Sequence, residues 1–415
     1  MSQETARGPE HRYAWVMVAV ASVYLGVGNG SLNTISVFLL PVSADLGWLR
    51  GQTAFAFLAG STALGLSGIL MGYLSDRFST RPVVLVGALF LGPSMLLLAR
   101  QSALWQFYLF YFLLGGLGFA PLNAPLTSNV GGWFSRNKGL AIGAVTAGRA
   151  IGNSLVPFLG SYLITVFGWR TAYTWLGGLS LGLLLPLVAL VRSPPAVAGP
   201  AASRRGAATG AGNSDYPITS GRNVVWLGFC AVFCCFCMAV PLVHVVALAR
   251  DRGFPPQSAA LIFSLLMIAG IFGSVFFGRV ADRIGLIQGY MLASAWQTAT
   301  VLWFPWLTSL NSFFILAVLF GFGYSGVMTC LITCVQGMAP PGRRGLSTGT
   351  VSLFAQIGMG LGGYFGGLFF DLTGDYKVSF ALAAIAGLGN LMAQASFLFY
   401  STRVRAAQAA LTAEA

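Results

Sequence analysis

Few residues in this chain could do chemistry, and one of them stands alone. Arg149 lies inside a long apolar run, 11 positions past Lys138, which on a helix places it about 16 Å in. If that run crosses a bilayer, the guanidinium reaches the midplane, where it costs about 2.5–3.5 kcal/mol on insertion scales and faces the bundle interior. The chain has ten acids, Glu4, Glu10, Asp45, Asp76, Asp215, Asp251, Asp282, Asp371, Asp375 and Glu414, and none falls in the middle of an apolar run. With no acid at its depth, a planar guanidinium is suited to hold an external anion through two parallel hydrogen bonds. The other reading is a structural arginine, bonded to helix carbonyls or reaching along a water-filled cavity. Thr146 and Asn153, each about one turn away, share its face.

His244 is the one residue in an apolar run whose type ordinarily titrates near neutrality. It follows Pro241 near the end of its run, and reads either as a proton relay and substrate contact or as a structural histidine. Asn29, Asn33, Asn123, Tyr324 and Gln356 are neutral polar groups at central depth. Such groups often join helices at about 0.6 kcal/mol each, so ligand contact and helix glue both remain open for each. Gly321, Gly323 and Gly326 leave room around Tyr324. No His/Asp, Glu or Ser/Lys constellation occurs at depth, so an enzyme is not expected. The six cysteines, Cys230, Cys234, Cys235, Cys237, Cys330 and Cys334, read as small hydrophobes. Neither a metal site nor a cofactor is expected.

The elements that must position these groups follow from composition. The chain is 56% hydrophobic and 8% charged, against about 25% charged in soluble domains. Too few charges remain to cover a soluble surface. Twelve apolar runs, about 13–40, 52–75, 82–99, 104–130, 138–166, 169–192, 223–248, 256–279, 286–307, 311–337, 344–370 and 376–402, approach or exceed the length that spans about 30 Å of hydrocarbon as helix. Residues 193–222, rich in Pro, Ala, Gly and Ser, read as a flexible linker between halves 1–192 and 223–415.

The halves repeat one another at a single offset. Gly72-Tyr-Leu-Ser-Asp76-Arg77 recurs 206 residues later as Gly278-Arg-Val-Ala-Asp282-Arg283. Lys138-Gly-Leu-Ala-Ile-Gly143 recurs as Arg344-Gly-Leu-Ser-Thr-Gly349, and Asp45-Leu-Gly47 as Asp251-Arg-Gly253. A duplicated unit in a membrane protein points to halves that rock about a central site. The net charge of +13 is a matter of topology rather than of a nucleic-acid partner. With the N-terminus in the cytoplasm, 16 cations fall on cytoplasmic segments and six on outer loops, leaving Arg149. No cleavable signal peptide is expected, because the first run is too long and lacks a small-residue cleavage site. Both termini are expected in the cytoplasm, and the spacing Gly139, Gly143, Ala147, repeated in Gly345 and Gly349, predicts close helix packing.

The repeated Gly-x-x-x-Asp-Arg resembles the loop motif of the major facilitator superfamily. Residues 133–152, Asp45-Leu-Gly-Trp-Leu-Arg50, Gly168-Trp-Arg-Thr-Ala-Tyr173 and Pro241-Leu-Val-His244 resemble its monocarboxylate transporter and oxalate/formate exchanger branch. The resemblance implies an all-α membrane protein of twelve helices in two six-helix bundles. It also implies that Asp76, Arg77, Asp282 and Arg283 latch the cytoplasmic side shut in the outward-open state. Relatives commonly carry an Asp and an Arg on helix 8, where this chain has Gly270 and Ser274, so their proton–carboxylate pairing does not carry over.

The expected function is alternating-access transport of a small organic anion, most simply a monocarboxylate, with protons as a candidate co-substrate. Arg149 would bind the anion, and Asn29, Asn33, Asn123, Tyr324, Gln356 and His244 would shape the pocket. The setting would be a bacterial inner membrane, with lipid around a monomer. The rivals are an exchanger or efflux carrier for a neutral or differently charged metabolite, and a membrane receptor or scaffold.

Overall fold

A computed structural model of the chain describes residues 12–134, 138–194, 221–339 and 344–414, and their regular secondary structure is entirely helical. We number the helices α1 to α12. Helix α1 comprises Arg12–Asn33 and Ile35–Leu46, interrupted at Thr34. It is followed by α2 (Arg50–Phe78) and α3 (Thr80–Arg100). Helix α4 runs through Leu104–Leu113, a π-turn at Leu114–Phe119, and Ala120–Trp133. Then come α5 (Lys138–Phe167), α6 (Trp169–Leu187), α7 (Gly221–Asp251) and α8 (Pro256–Ile284). The last four are α9 (Leu286–Val301), α10 (Leu310–Met338), α11 (Arg344–Thr373) and α12 (Lys377–Glu414).

Among the described residues, eleven segments are long and apolar enough to cross a membrane. Helix α9 is the short twelfth, with 16 residues. It ends early because Pro305, in the turn Phe304–Trp306, cannot continue a helix. Large side chains such as Trp105, Phe272, Ile385 and Met392 stand exposed on the outer surface, where lipid would cover them. Because helices alternate in direction, both termini lie on one side, the terminal face. The ends of α1, α2, α7, α8 and α11 near residues 46, 50, 251, 256 and 373 lie on the other, the distal face.

The duplication is visible in the pairing. Helix α1 packs on α5, α2 on α4 and α3 on α6, and the second half repeats this as α7 on α11, α8 on α10 and α9 on α12. The halves meet along α2 with α11 and α5 with α8. Equivalent glycines make equivalent close approaches. A Cβ on Gly115 would strike the Gly60 carbonyl, and one on Gly321, 206 residues on, would strike the Leu266 carbonyl. Gly321→Val should therefore cost at least the roughly 1–3 kcal/mol typical of overpacking, seen as a lower Tm in detergent. An unchanged Tm would mean that α8 and α10 can separate there freely.

The packing glycines of α5 differ from those the spacing predicted. Gly152 lies against the Gly26 backbone of α1, and its repeat partner Gly358 against Val232 of α7. Around Gly143 and Gly345 there is open space, and Gly349 meets only Ile69 at an ordinary 3.5 Å. The surroundings of Gly139 fall outside the described residues. The physical reason is that the polar contacts joining α5 to α8 lie distal to Arg149, while the terminal-face turns of α5 are buried through other residues, Ala141, Val145 and the Gly148–Ser22 approach to α1.

Candidate functional site

Helix α4 reaches the centre of the molecule by an irregularity that its sequence requires. Leu114-Gly-Gly-Leu-Gly-Phe119 winds as a π-turn just before Pro121. The looser winding accommodates a proline whose missing N–H would otherwise interrupt the α-helical ladder. It sets the Phe119 ring 5.9 Å from the Arg149 guanidinium carbon. Asn123, one turn further along, accepts a hydrogen bond from Arg149 Nη1 at 3.5 Å. From α1, Asn29 Oδ1 accepts from Arg149 Nη2 at 3.4 Å.

Both contacts sit at the long limit of a hydrogen bond. A guanidinium has five N–H donors, and these two contacts leave most of them unused. No carboxylate reaches Arg149 among the described residues, and the side chain is only half-buried. Tyr324 on α10, in the opposite half, is close enough for the two groups to interact electrostatically. Gln356 lies at similar depth on α11, where its Cβ faces the α2 backbone at Gly65. Thr146 stays exposed one turn toward the terminal face and donates to the Ile142 carbonyl of its own helix.

Asn33 stands behind this cluster rather than at its surface. It is 7% exposed, and its Nδ2 donates to the Asn29 carbonyl and to Asn153 Oδ1, both at 3.0 Å. Ser274 bonds to Ile271 on its own helix, and Gly270 packs against Ser325. Neither position carries a charged group.

His244 belongs to a different assembly. It is fully buried, with Nε2 2.7 Å from the Gly363 carbonyl and Nδ1 3.3 Å from the Tyr376 hydroxyl. Gly363 lies seven residues distal to Gln356 on α11, so the imidazole stands about 10 Å distal to the Arg149 level. The expected pocket contact is thus placed at the distal closure. Arg50 Nη1 donates to the same Tyr376 hydroxyl at 3.0 Å. The Arg50 fork also grips Asp251 across the halves, at 2.6 and 2.8 Å, and its guanidinium carbon lies 3.7 Å from the Phe370 ring centroid. Asp371 of α11 caps α2 by accepting from Arg50 N at 3.0 Å and Gly51 N at 2.6 Å. An acid at a helix N-terminus satisfies donors that the helix leaves free.

This closure was not read from the sequence. The only signal was the repeat Asp45/Asp251, and the two acids have different partners. Asp45 accepts from Trp169 Nε1 at 3.1 Å and lies 3.6 Å from Arg170 within its own half.

The latch expected on the terminal face is not engaged among the described residues. Arg77, Asp282 and Arg283 are exposed and form no ion pair there. The Asp76 side chain lies outside the described residues. The distal face is therefore tied across the halves, while Arg77, Asp282 and Arg283 form no ion pair among the described residues.

The sequence profile of the Major Facilitator Superfamily matches residues 16–245 and 225–414. The chain belongs to that superfamily. It is a multi-pass membrane transporter. It is 25% identical over 406 residues to monocarboxylate transporter 13 of Bos taurus, covering 95% of this chain and 92% of that one. It is 26% identical to monocarboxylate transporter 11 of Homo sapiens, covering 96% and 85%. An MFS-type transporter of Bacillus subtilis, YcxA, is 24% identical, covering 93% and 96%. A bacterial homolog of the human lysosomal transporter Spinster, solved inward-facing and occupied, matches with a TM-score of 0.70 at 16% identity, covering 96% and 98%.

Proposed function

We propose that this transporter carries a small organic anion, most simply a monocarboxylate, by alternating access, with Arg149 as the anchor. The observation that carries this reading is a half-buried guanidinium at mid-depth that has two long bonds to neutral amides and, among the described residues, no carboxylate. An incoming carboxylate would take the unused donors bidentately. Asn29 and Asn123 turn their carbonyl oxygens to the arginine, which leaves their amide N–H groups for the anion. Tyr324 and Gln356 would close the site from the other half. The names of the sequence relatives support the same substrate class.

With the terminal face cytoplasmic, as the cation bias favours, the ion pair across the distal face and the unengaged Arg77, Asp282 and Arg283 support an inward-open reading. Arg77, Asp282, Arg283 and Asp76 would engage only after the halves rock the other way. Asp282→Asn should then slow transport while leaving the affinity of the inward-open site within about twofold, measured by calorimetry. A large loss of affinity would place Asp282 at the substrate instead.

His244 sits with the closure and not with the anion, which favours exchange over proton symport. Arg149 keeps its charge throughout the cycle, so the loaded site is neutral and the empty site cationic, and return with an anion bound is the easier route. Purified protein should be stabilised against heat by short monocarboxylates and not by amides of the same shape. Proteoliposomes should support counterflow of the stabilising acid. Equal stabilisation by acid and amide would overturn the anion reading. Accumulation driven by a proton gradient would overturn exchange.

A further inference from the structure

Among the described residues, a line of hydrogen bonds through three asparagines joins the Arg149 cluster to the seam between the halves. Asn29, whose Oδ1 accepts from Arg149, also offers its backbone carbonyl to Asn33 Nδ2. The same Asn33 nitrogen donates to Asn153 Oδ1. Asn153, 3% exposed, then gives its own Nδ2 to Met267 Sδ on α8 of the opposite half, at 2.8 Å. Met267 is itself 3% exposed. Helix α1 is interrupted at Thr34, immediately after Asn33, so this line passes beside the interruption.

Among the described residues, two further polar contacts continue the α5–α8 seam distally from Asn153. Ser264 Oγ donates to the Ser154 carbonyl at 3.3 Å, and Ser161 Oγ to the Pro256 carbonyl at 3.1 Å. Asn153–Met267 is the seam contact one turn from the anchor. Its chemistry suits repeated making and breaking. An amide can accept from one partner while donating to another, and a thioether is a weak, polarisable acceptor.

We propose that Asn153 is a positioning residue that couples occupancy of the Arg149 site to the α5–α8 seam. On one side it holds Asn33, and through it the α1 turn on which Arg149 rests. On the other it grips Met267 of the opposite half. An anion that draws the guanidinium off Asn29 Oδ1 releases that turn, and the displacement reaches Met267 through two side chains. The inference rests on the anion reading of Arg149.

The test places spin labels at Leu140 and Ile284, both exposed near the terminal-face ends of α5 and α8. In wild type, a monocarboxylate that binds by calorimetry should shift the distance distribution. In Asn153→Leu the same acid should bind with a Kd within about threefold of wild type, while the shift is lost and counterflow slows at least tenfold. A purely structural Asn153 would lower Tm without separating binding from the shift. If Asn153→Leu does not fold, Met267→Leu removes only the seam acceptor and should show the same separation. An anion-driven shift of wild-type size in the folded variant overturns the coupling role. No binding in wild type overturns the anion reading, and this proposal with it.

Discussion

Arg149→Gln is expected to weaken monocarboxylate binding by about 100-fold or more while leaving the protein folded. Two charge-assisted hydrogen bonds, at roughly 1.5–3 kcal/mol each, leave with the guanidinium, and about 1.4 kcal/mol is a factor of ten. Folding should survive because no partner is left as an unpaired charge. Asn29 and Asn123 lose only contacts of 3.4 and 3.5 Å. Arg149→Lys keeps the charge and loses the planar fork, so it should fall between wild type and Gln. Calorimetry on the purified variants decides the matter. A Gln variant with wild-type affinity would return Arg149 to a structural role, and a Lys variant as strong as wild type would rule out bidentate geometry.

Arg149 could be found in the sequence because a charge inside an apolar run is conspicuous without a fold. Asn29 and Asn123 could be ranked only as polar groups at depth, and the structure brings both to the guanidinium. Asn33 has the same residue type, yet it meets Asn153, because a four-residue step along α1 keeps the face and moves about 6 Å distally, to the turn of α5 beyond Arg149. The duplicated architecture was equally legible, since the 206-residue offset and the hydrophobic runs are local signals. The closure was not. It joins Arg50 to Asp251 across 201 positions and to Tyr376 across 326, and no spacing rule reaches that far. The repeat itself misled, because it makes Asp45 and Asp251 look equivalent.

That inequivalence sets the second large effect. Asp251→Asn should open the distal face, and the reason lies in a difference between the repeats. Arg170, which sits beside Asp45, corresponds at the 206-residue offset to Tyr376. In the first half the acid is satisfied within its own half by Trp169 and Arg170. In the second half a neutral tyrosine stands in that place, so Asp251 accepts the Arg50 fork from across the seam. Tyr376 steadies the same arginine while bridging to His244. Removing the charge of Asp251 forfeits about 1.5–3 kcal/mol. The lower end applies, because the carboxylate remains 31% exposed and water screens it. That still shifts the population of the locked state about tenfold. Labels at Ser102 and Thr308, exposed on the distal loops of the two halves, should report a longer distance in Asp251→Asn. The six native cysteines are buried, so labelling should stay selective. The exchanged pair Arg50→Asp with Asp251→Arg should restore only part of the closure, since Asp371 would then face an acid at the α2 N-terminus. A distal distance unchanged by Asp251→Asn would mean that the Asp371 cap and the packed helices hold that face shut without the ion pair.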